Sequence, residues 1–302
     1  MESVKNRLKQ VVADSLPDGI TFESTLSEFK KALDDAIIKA GEKGKESIIR
    51  SQEPIKLFHE LVKAELIRHS IPADLINPPL GKSAGELNLS GYFKNKNQDV
   101  CVSPRNQQMQ AETINTGMLK GFTDTYGKTY TERTLVVNVR SQMSSIAKNL
   151  DTMYERIFAE PLNLHMRCPE IVIGELYVIP ITGYDMKFVK KNIPKFESVI
   201  TQPKNKRTKT TAQVVEQYIL AFQTVNQRNK DLGEEYKYER VCLLIVDFSR
   251  NPIKVYNSDT ELKADGLLPQ TSATTFAGLD FTNFIPDLLQ IHRTRFGKGI
   301  FI

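Results

Sequence analysis

The stretch Thr134-Leu-Val-Val-Asn-Val-Arg140, followed by Ser141-Gln-Met-Ser-Ser-Ile-Ala-Lys-Asn149, is the segment around which the fold can be predicted. Its three valines are β-branched and favour the interior of a sheet. Asn138 and Arg140 interrupt the apolar run and, at a period of two, share one face of the predicted strand. Two adjacent polar side chains on an otherwise buried strand predict a functional site.

The sequence upstream predicts a hairpin that brings an aspartate to the same strand. Residues 87–93 are typical of a strand, residues 94–97 of a polar turn, and residues 98–102 of a returning strand with Asp99 at its start. Asp99 is therefore expected to face Asn138 and Arg140.

Hydrophobic periodicity assigns the remaining elements. Apolar residues at helical spacing predict helices over residues 4–15, 24–40, 54–69, 143–159, 211–230 and 280–296, the fourth of them stopped or kinked by Pro161. Continuous apolar runs predict buried strands over residues 170–180 and 240–247, and residues 104–129 are expected to be a loop or short helix. The prediction is an α/β fold with a central mixed β-sheet flanked by helices, in which a helical N-terminal region, 1–75, packs on residues 76–302 in one compact unit.

Composition sets broad limits on function. The 302 residues are 40% hydrophobic and 25% charged, which is ordinary for a globular protein, and the net charge of +5 permits a polyanionic partner without requiring one. Cys101, Cys168 and Cys242 are odd in number and lie in apolar surroundings, which favours buried free thiols. The longest apolar run, residues 241–246, is too short to span a bilayer. These features predict a soluble, cytoplasmic protein.

Other common sites receive little support. The four histidines show no HxH or HExxH spacing, and a glycine-rich phosphate loop is absent from the sequence. Asp247 ends a predicted strand, but the following Phe-Ser-Arg-Asn-Pro favours a turn-forming role.

The order of a Gly-aromatic hairpin, an aspartate, a strand of the form acid-x-base, a Ser-Gln pair and a helix resembles type II restriction endonucleases of the PD-(D/E)XK superfamily over residues 56–180. The resemblance implies Mg²⁺ bound by the aspartate and the strand acid, with a lysine two residues later that helps to activate water. These positions are Asp99, Asn138 and Arg140 in this chain. Asn138 is a neutral amide, and the Arg140 guanidinium cannot accept a proton, so the usual triad is incomplete.

Three explanations for the incomplete triad remain open. The missing carboxylate could have migrated to Glu155 or Glu160 on the following helix, or to Glu60 on an earlier one. Alternatively, Gln142 and Lys148 could replace the lysine while Arg140 clamps a phosphate oxygen. The chain could also be inactive or engineered.

The resemblance implies a restriction-endonuclease-like core, a homodimer and double-stranded DNA as partner. The expected catalytic residues are Asp99, Asn138, Arg140, Lys148 and Glu155, and the expected Mg²⁺ ligands are Asp99, Glu155 and Glu160. The expected DNA contacts are Arg140, Ser141, Gln142, Ser144, Ser145, Asn149, Arg105, and Lys204, Lys206 and Arg207 in a basic loop. The alternatives are a non-catalytic DNA-binding or partner subunit, and a scaffold protein in which Asn138 and Arg140 serve only the core.

Overall fold

Helices occupy the first quarter of the chain in the computed structural model, which describes residues 2–200, 202 and 208–301. They are α1 (Glu2–Asp14), α2 (Phe22–Arg50) and α3 (Lys56–Arg68). Helix α2 bends at Ala40 and Gly41, whose backbone angles are not helical, so two consecutive helices meet there. The predicted N-terminal helical region is confirmed.

The rest of the chain alternates strands and helices. The strands are β1 (Ile76–Asn77), β2 (Asn88–Ser90), β3 (Asn95–Asn97), β4 (Val100–Val102), β5 (Glu112–Thr113), β6 (Thr123–Asp124), β7 (Leu135–Ser141), β8 (Val172–Pro180), β9 (Arg240–Asp247) and β10 (Lys254–Tyr256). The helices are α4 (Lys128–Arg133), α5 (Leu150–His165), α6 (Met186–Val189), α7 (Thr211–Thr224), α8 (Asp259–Ala264) and α9 (Phe284–Phe296).

The central sheet has six strands in the order β1-β4-β7-β8-β9-β10. Strands β7, β8 and β9 run parallel to one another, whereas β1, β4 and β10 add to the sheet by antiparallel pairing. Parallel neighbours need long crossover connections, which α5 supplies between β7 and β8, and α6 and α7 between β8 and β9. The predicted α/β fold with a mixed sheet flanked by helices is confirmed.

The two faces of the sheet bury separate apolar layers. Helices α1, α2, α3 and α9 pack on the face that carries Val137 and Val139. Helices α5 and α7 pack on the other face, which carries Val136 and, by alternation, Asn138 and Arg140. These two polar residues therefore point toward α5, which supplies further charged side chains.

One glycine allows a helix to approach the sheet closely. A Cβ atom at Gly174 of β8 would collide with the side chain of Leu288 on α9. Because glycine lacks that atom, α9 can seal the first face of the sheet directly over its centre.

Several local predictions differ from the structure. The helix predicted over residues 211–230 ends at Thr224. The turn of the first hairpin lies at residues 91–94, and residues 95–97, predicted as turn, form β3 paired with β2. The segment 104–129 contains the paired strands β5 and β6. Helix α5 begins at Leu150, because residues 145–149 form a turn in which Ser145 accepts the backbone N–H groups of Lys148 and Asn149. It also continues through the buried Pro161 to His165, since apolar burial on both sides offsets the missing backbone donor.

Smaller predictions agree with the structure. Cys101, Cys168 and Cys242 are buried free thiols. Asp247 forms a turn, in which its Oδ1 accepts the backbone N–H of Ser249 at 3.0 Å. Within the described ranges, the helices are all too short or too polar to cross a bilayer.

Candidate functional site

A cleft of about 750 Å³ lies at the carboxyl end of β7, between the N-terminal helices and α5. Its walls come from α2, α3, the β2–β3 hairpin, the end of β7 and α5. The predicted site residues that line it are Asp99, Arg140, Ser141, Gln142, Asn149, Glu155 and Glu160. Residues more than 60 positions apart in the chain therefore meet in one concave site.

Asp99 connects the two segments that the sequence pattern had paired. It is half-buried immediately before β4, which lies antiparallel to β7. Its Oδ2 accepts the backbone N–H of Val139 at 2.8 Å. Asp99 therefore reaches β7 between Asn138 and Arg140, as its predicted position required.

Two carboxylates flank the guanidinium of Arg140. Its Nη2 lies 3.4 Å from Oε1 of Glu160, and its Nη1 lies 3.2 Å from Oε1 of Glu175. Burial opposes the charge on Arg140, but Glu175, Tyr238 and Glu160 outweigh that effect and raise the pKa of Arg140 above its ordinary value. Arg140 is therefore held as a cation by groups of the protein itself.

Glu160 on α5 belongs to the same network. Its carboxylate contacts both Arg140 and Lys96 of β3. Burial raises the pKa of Glu160, but Lys96 and Arg140 lower it by more, and the net result is a pKa below the usual range. Glu160 is thus a carboxylate that stays ionised at the edge of the cleft.

Glu175 is a further residue of the network that the sequence pattern did not indicate. In the parallel register of β7 and β8, Glu175 is the partner of Asn138, and it is fully buried. Burial raises its pKa to about 7, although Arg140 opposes the rise. A single glutamate within the apolar run of β8 was the available signal, because a buried carboxylate requires a partner.

The β2–β3 hairpin is fixed over the cleft by Asn163 of α5. The side-chain Oδ1 of Asn163 accepts the backbone N–H groups of Phe93 at 2.9 Å and Lys94 at 3.1 Å. A Cβ atom at Gly91 would overlap the Asn163 side chain, so only glycine allows this close approach. The hairpin therefore presents Lys94 and Lys96 to the cleft in a defined position.

Two further residues near Asp99 were not expected from the sequence. Burial and the proximity of Asp99 both raise the pKa of Glu86, which lines the cleft. Burial lowers the pKa of His59 to about 4, so this imidazole is neutral, although Asp99 opposes the shift. Neither residue belongs to a recognisable motif, and only the tertiary fold brings them to Asp99.

The remaining predicted residues lie elsewhere. Asn138 is buried in the sheet and is absent from the residues that line the cleft, as are Ser144, Ser145 and the exposed Lys148. Arg105 pairs with Asp74 at 3.0 Å on the surface. Glu60 contacts Lys63 at 2.6 Å and the backbone N–H of Gly81. Lys204, Lys206 and Arg207 fall outside the described residues.

Several carboxylates and one imidazole line the cleft, but they do not form a three-residue metal-binding group. Across residues 2–200, 202 and 208–301, there is no group of three or more His, Cys, Asp or Glu side chains arranged to hold a metal ion. Comparisons of the chain with protein-family models, with curated proteins and with solved structures found no match.

Proposed function

We propose that the protein is a type II restriction endonuclease with a restriction-endonuclease-like core, which hydrolyses double-stranded DNA in a Mg²⁺-dependent, sequence-specific reaction. The observation that carries the proposal is the hydrogen bond from the Val139 backbone to Asp99. It joins the two chain segments whose order resembles the superfamily, at the mouth of a cleft that also contains Arg140 and Glu160.

The acidic side chains of the cleft are compatible with Mg²⁺. Mg²⁺ is commonly held by one or two carboxylates, with water and substrate phosphate completing its shell, so a cluster of three protein ligands is not needed. Burial and Asp99 raise the pKa of Glu86, which means that negative charge accumulates beside Asp99. Asp99 would hold the ion with Glu86 or Glu160, and the exposed Glu155 lies on the same wall. The bound ion would polarise the phosphate and lower the pKa of its water.

The chain's own residues would divide the remaining tasks. Ser141, Gln142 and Asn149 offer hydroxyl and amide groups at the end of β7, where an amide can pair with base edges. Arg140 adds positive potential near the scissile phosphate, but Glu160 and Glu175 occupy part of its guanidinium. Arg140 therefore acts mainly through its charge rather than as a free two-pronged clamp.

We further propose a cytoplasmic homodimer, because cutting both strands of a palindromic site requires two cleavage centres related by a twofold axis.

A second candidate function is DNA binding without cleavage, as a partner subunit of the same fold. It is favoured by the pairing of Arg140 with Glu160 and Glu175, since both carboxylates are then engaged by cations of the protein. In this case the affinity for DNA would fall steeply as the salt concentration rises, and the DNA would stay uncut in the presence of Mg²⁺.

The test is incubation of purified protein with long plasmid or phage DNA, in Mg²⁺ and in EDTA, with the products separated on a gel. We expect discrete fragments in Mg²⁺ and intact DNA in EDTA. The Asp99→Ala variant should lose cleavage by at least about a hundredfold, because the proposed metal site loses its central ligand. Intact DNA in both lanes, with salt-dependent binding, would replace the nuclease proposal by the second candidate.

A further inference from the structure

A lysine that the sequence pattern did not single out lies beside the Arg140 network. Lys96 belongs to β3, and its Nζ contacts the Glu160 carboxylate that also contacts Arg140. Burial raises the pKa of Glu175, while Arg140 and then Lys96 act against the rise, so the Lys96 charge is also felt at the floor of the sheet. Lys96 therefore lies in the cleft wall beside both carboxylates that flank Arg140.

Other lysines are less well placed. Lys56 lines the cleft, but its partner Glu53, at 3.2 Å, is not among the lining residues, whereas the partner of Lys96, Glu160, is. Lys94 lines the cleft with an exposed side chain. Lys148, which the sequence analysis favoured, is exposed and lies outside the cleft lining. Among the lysines that the structure describes in the cleft lining, Lys96 contacts the carboxylate that also binds Arg140.

The backbone around Lys96 is held before any substrate arrives. The Asn163 side chain fixes the preceding turn, because it accepts the backbone N–H groups of Phe93 and Lys94 and donates to the backbone carbonyl oxygen of Lys94. Gln98 Nε2 donates to the backbone carbonyl oxygen of Lys96 at 3.0 Å. Glu160 lies one helical turn before Asn163 on α5. Helix α5 therefore fixes both the β2–β3 hairpin and Glu160, the carboxylate that orients Lys96. A group that stabilises charge in a transition state needs to be held in place in this way beforehand.

We infer that Lys96 is a catalytic residue of the proposed hydrolysis, where its ammonium contacts a non-bridging oxygen of the scissile phosphate. The inference rests on the proposed function. Lys96 would supply a compact cation to the phosphate, because the guanidinium of Arg140 is already paired with Glu160 and Glu175.

The chemical step needs no further reactant. The oxygen of a water molecule forms a new bond to phosphorus, and one ester bond between phosphorus and oxygen breaks. The water loses one proton and the departing oxygen gains one, so protons balance. Lys96 remains an ammonium throughout and offsets the negative charge that builds on the phosphate oxygens as the water attacks.

The test compares the wild type with Lys96→Gln, Lys96→Arg and the matched control Lys94→Gln, which removes a neighbouring cleft lysine. Three quantities are measured for each: the single-turnover cleavage rate in Mg²⁺, the affinity for the same DNA in EDTA, and the melting temperature. We expect Lys96→Gln to slow cleavage by about 10²- to 10³-fold, with affinity changed less than about fivefold and the melting temperature close to wild type. Lys94→Gln should cleave within about threefold of wild type.

Lys96→Arg should be about tenfold slower than wild type and faster than Lys96→Gln, because it keeps the charge but not the compact ammonium. If the wild type cleaves DNA and Lys96→Gln cleaves at a rate within about threefold of it, the inference is overturned and the proposed function stays intact. A wild type that does not cleave in Mg²⁺ overturns both. If Lys96→Gln does not fold, a Lys96→Arg variant with the wild-type rate overturns the inference.

Discussion

A buried ion network at the amino ends of β8 and β9, at the opposite end of these strands from the cleft, offers a quantitative test of the structure. Glu239 precedes β9 and is fully buried. Its Oε1 lies 2.9 Å from Arg295 Nη2 and 3.2 Å from Arg228 Nη1. Its Oε2 lies 3.4 Å from His165 Nε2 and accepts the backbone N–H of Ile173 at 2.8 Å. The network joins α5, β8, β9 and α9, so we expect Glu239→Gln to weaken the whole fold.

The magnitude follows from the pKa of Glu239. Burial acts to raise this pKa, but His165, Arg295 and the Ile173 N–H outweigh burial and lower it from 4.5 to about 2. A shift of this size corresponds to about 3 kcal/mol of folding free energy that the ionised carboxylate contributes at neutral pH. Removing one partner of a buried ion pair typically costs about 3–5 kcal/mol, so Glu239→Gln should lower the free energy of unfolding by that amount at pH 7.

The sign of the pH dependence is fixed by the same shift. Because the folded-state pKa is below the unfolded-state value, the contribution of Glu239 is complete above about pH 4.5 and is lost as the pH falls toward 2. Urea unfolding of wild type and Glu239→Gln should therefore show a difference that narrows by about 1 kcal/mol between pH 5 and pH 3.5. The matched control is Glu234→Gln, which removes a carboxylate paired with Lys237 near the surface and should change stability much less. A Glu239→Gln protein as stable as wild type at pH 7, or a difference that does not vary with pH, would refute the reasoning.

Two more perturbations test how the β5–β6 and β2–β3 hairpins are held. Arg167→Ala leaves the buried Asp124 without its 2.7 Å partner and Glu112 without its 2.8 Å partner. The β5–β6 hairpin should then become sensitive to limited proteolysis within residues 112–124, and the free energy of unfolding should fall by about 3 kcal/mol. Resistance to proteolysis equal to that of wild type would contradict this. Asn163→Ala removes the acceptor for the Phe93 and Lys94 N–H groups and should cost about 1–3 kcal/mol in urea unfolding, with a loss of cleavage comparable to that of Lys96→Gln. Unaltered cleavage by a folded Asn163→Ala protein would show that the hairpin needs no such anchor.

The strands with continuous apolar runs were predictable, because a strand that is buried on both faces has apolar residues at nearly every position. Residues 170–180 and 240–247 form β8 and β9 close to their predicted bounds. The position of Asp99 against β7 was also predictable, because Asp99 directly precedes a predicted strand and its side chain is therefore confined to the end of that strand. Local pattern was sufficient where a residue and its neighbours in sequence determine the environment.

Register and tertiary contacts were the part that the sequence did not reveal. Glu175 is 37 positions beyond Asn138, and only the parallel pairing of β7 and β8 makes the two residues neighbours. The sequence pattern predicts Lys96 as a turn residue, but the turn occurs earlier because Gly91 lets Asn163 approach the backbone. Both residues were missed because the contacts that place them join distant segments of the chain: the β7–β8 pairing for Glu175, and Asn163 of α5 for the turn before Lys96.

The pairing of Asn138 with Glu175 also gives a physical reason for the amide at the position where the resemblance expects an acid. Adjacent residues on paired strands lie about 5 Å apart, and Glu175 is already fully buried with a pKa raised to about 7, mainly by burial. A second carboxylate at position 138 would add a like charge in the same buried layer, where Arg140 is shared with Glu160. Asn138 avoids this repulsion while filling a similar volume. The negative charge of the site is therefore distributed over β8, α5 and the residue before β4, instead of being concentrated on β7.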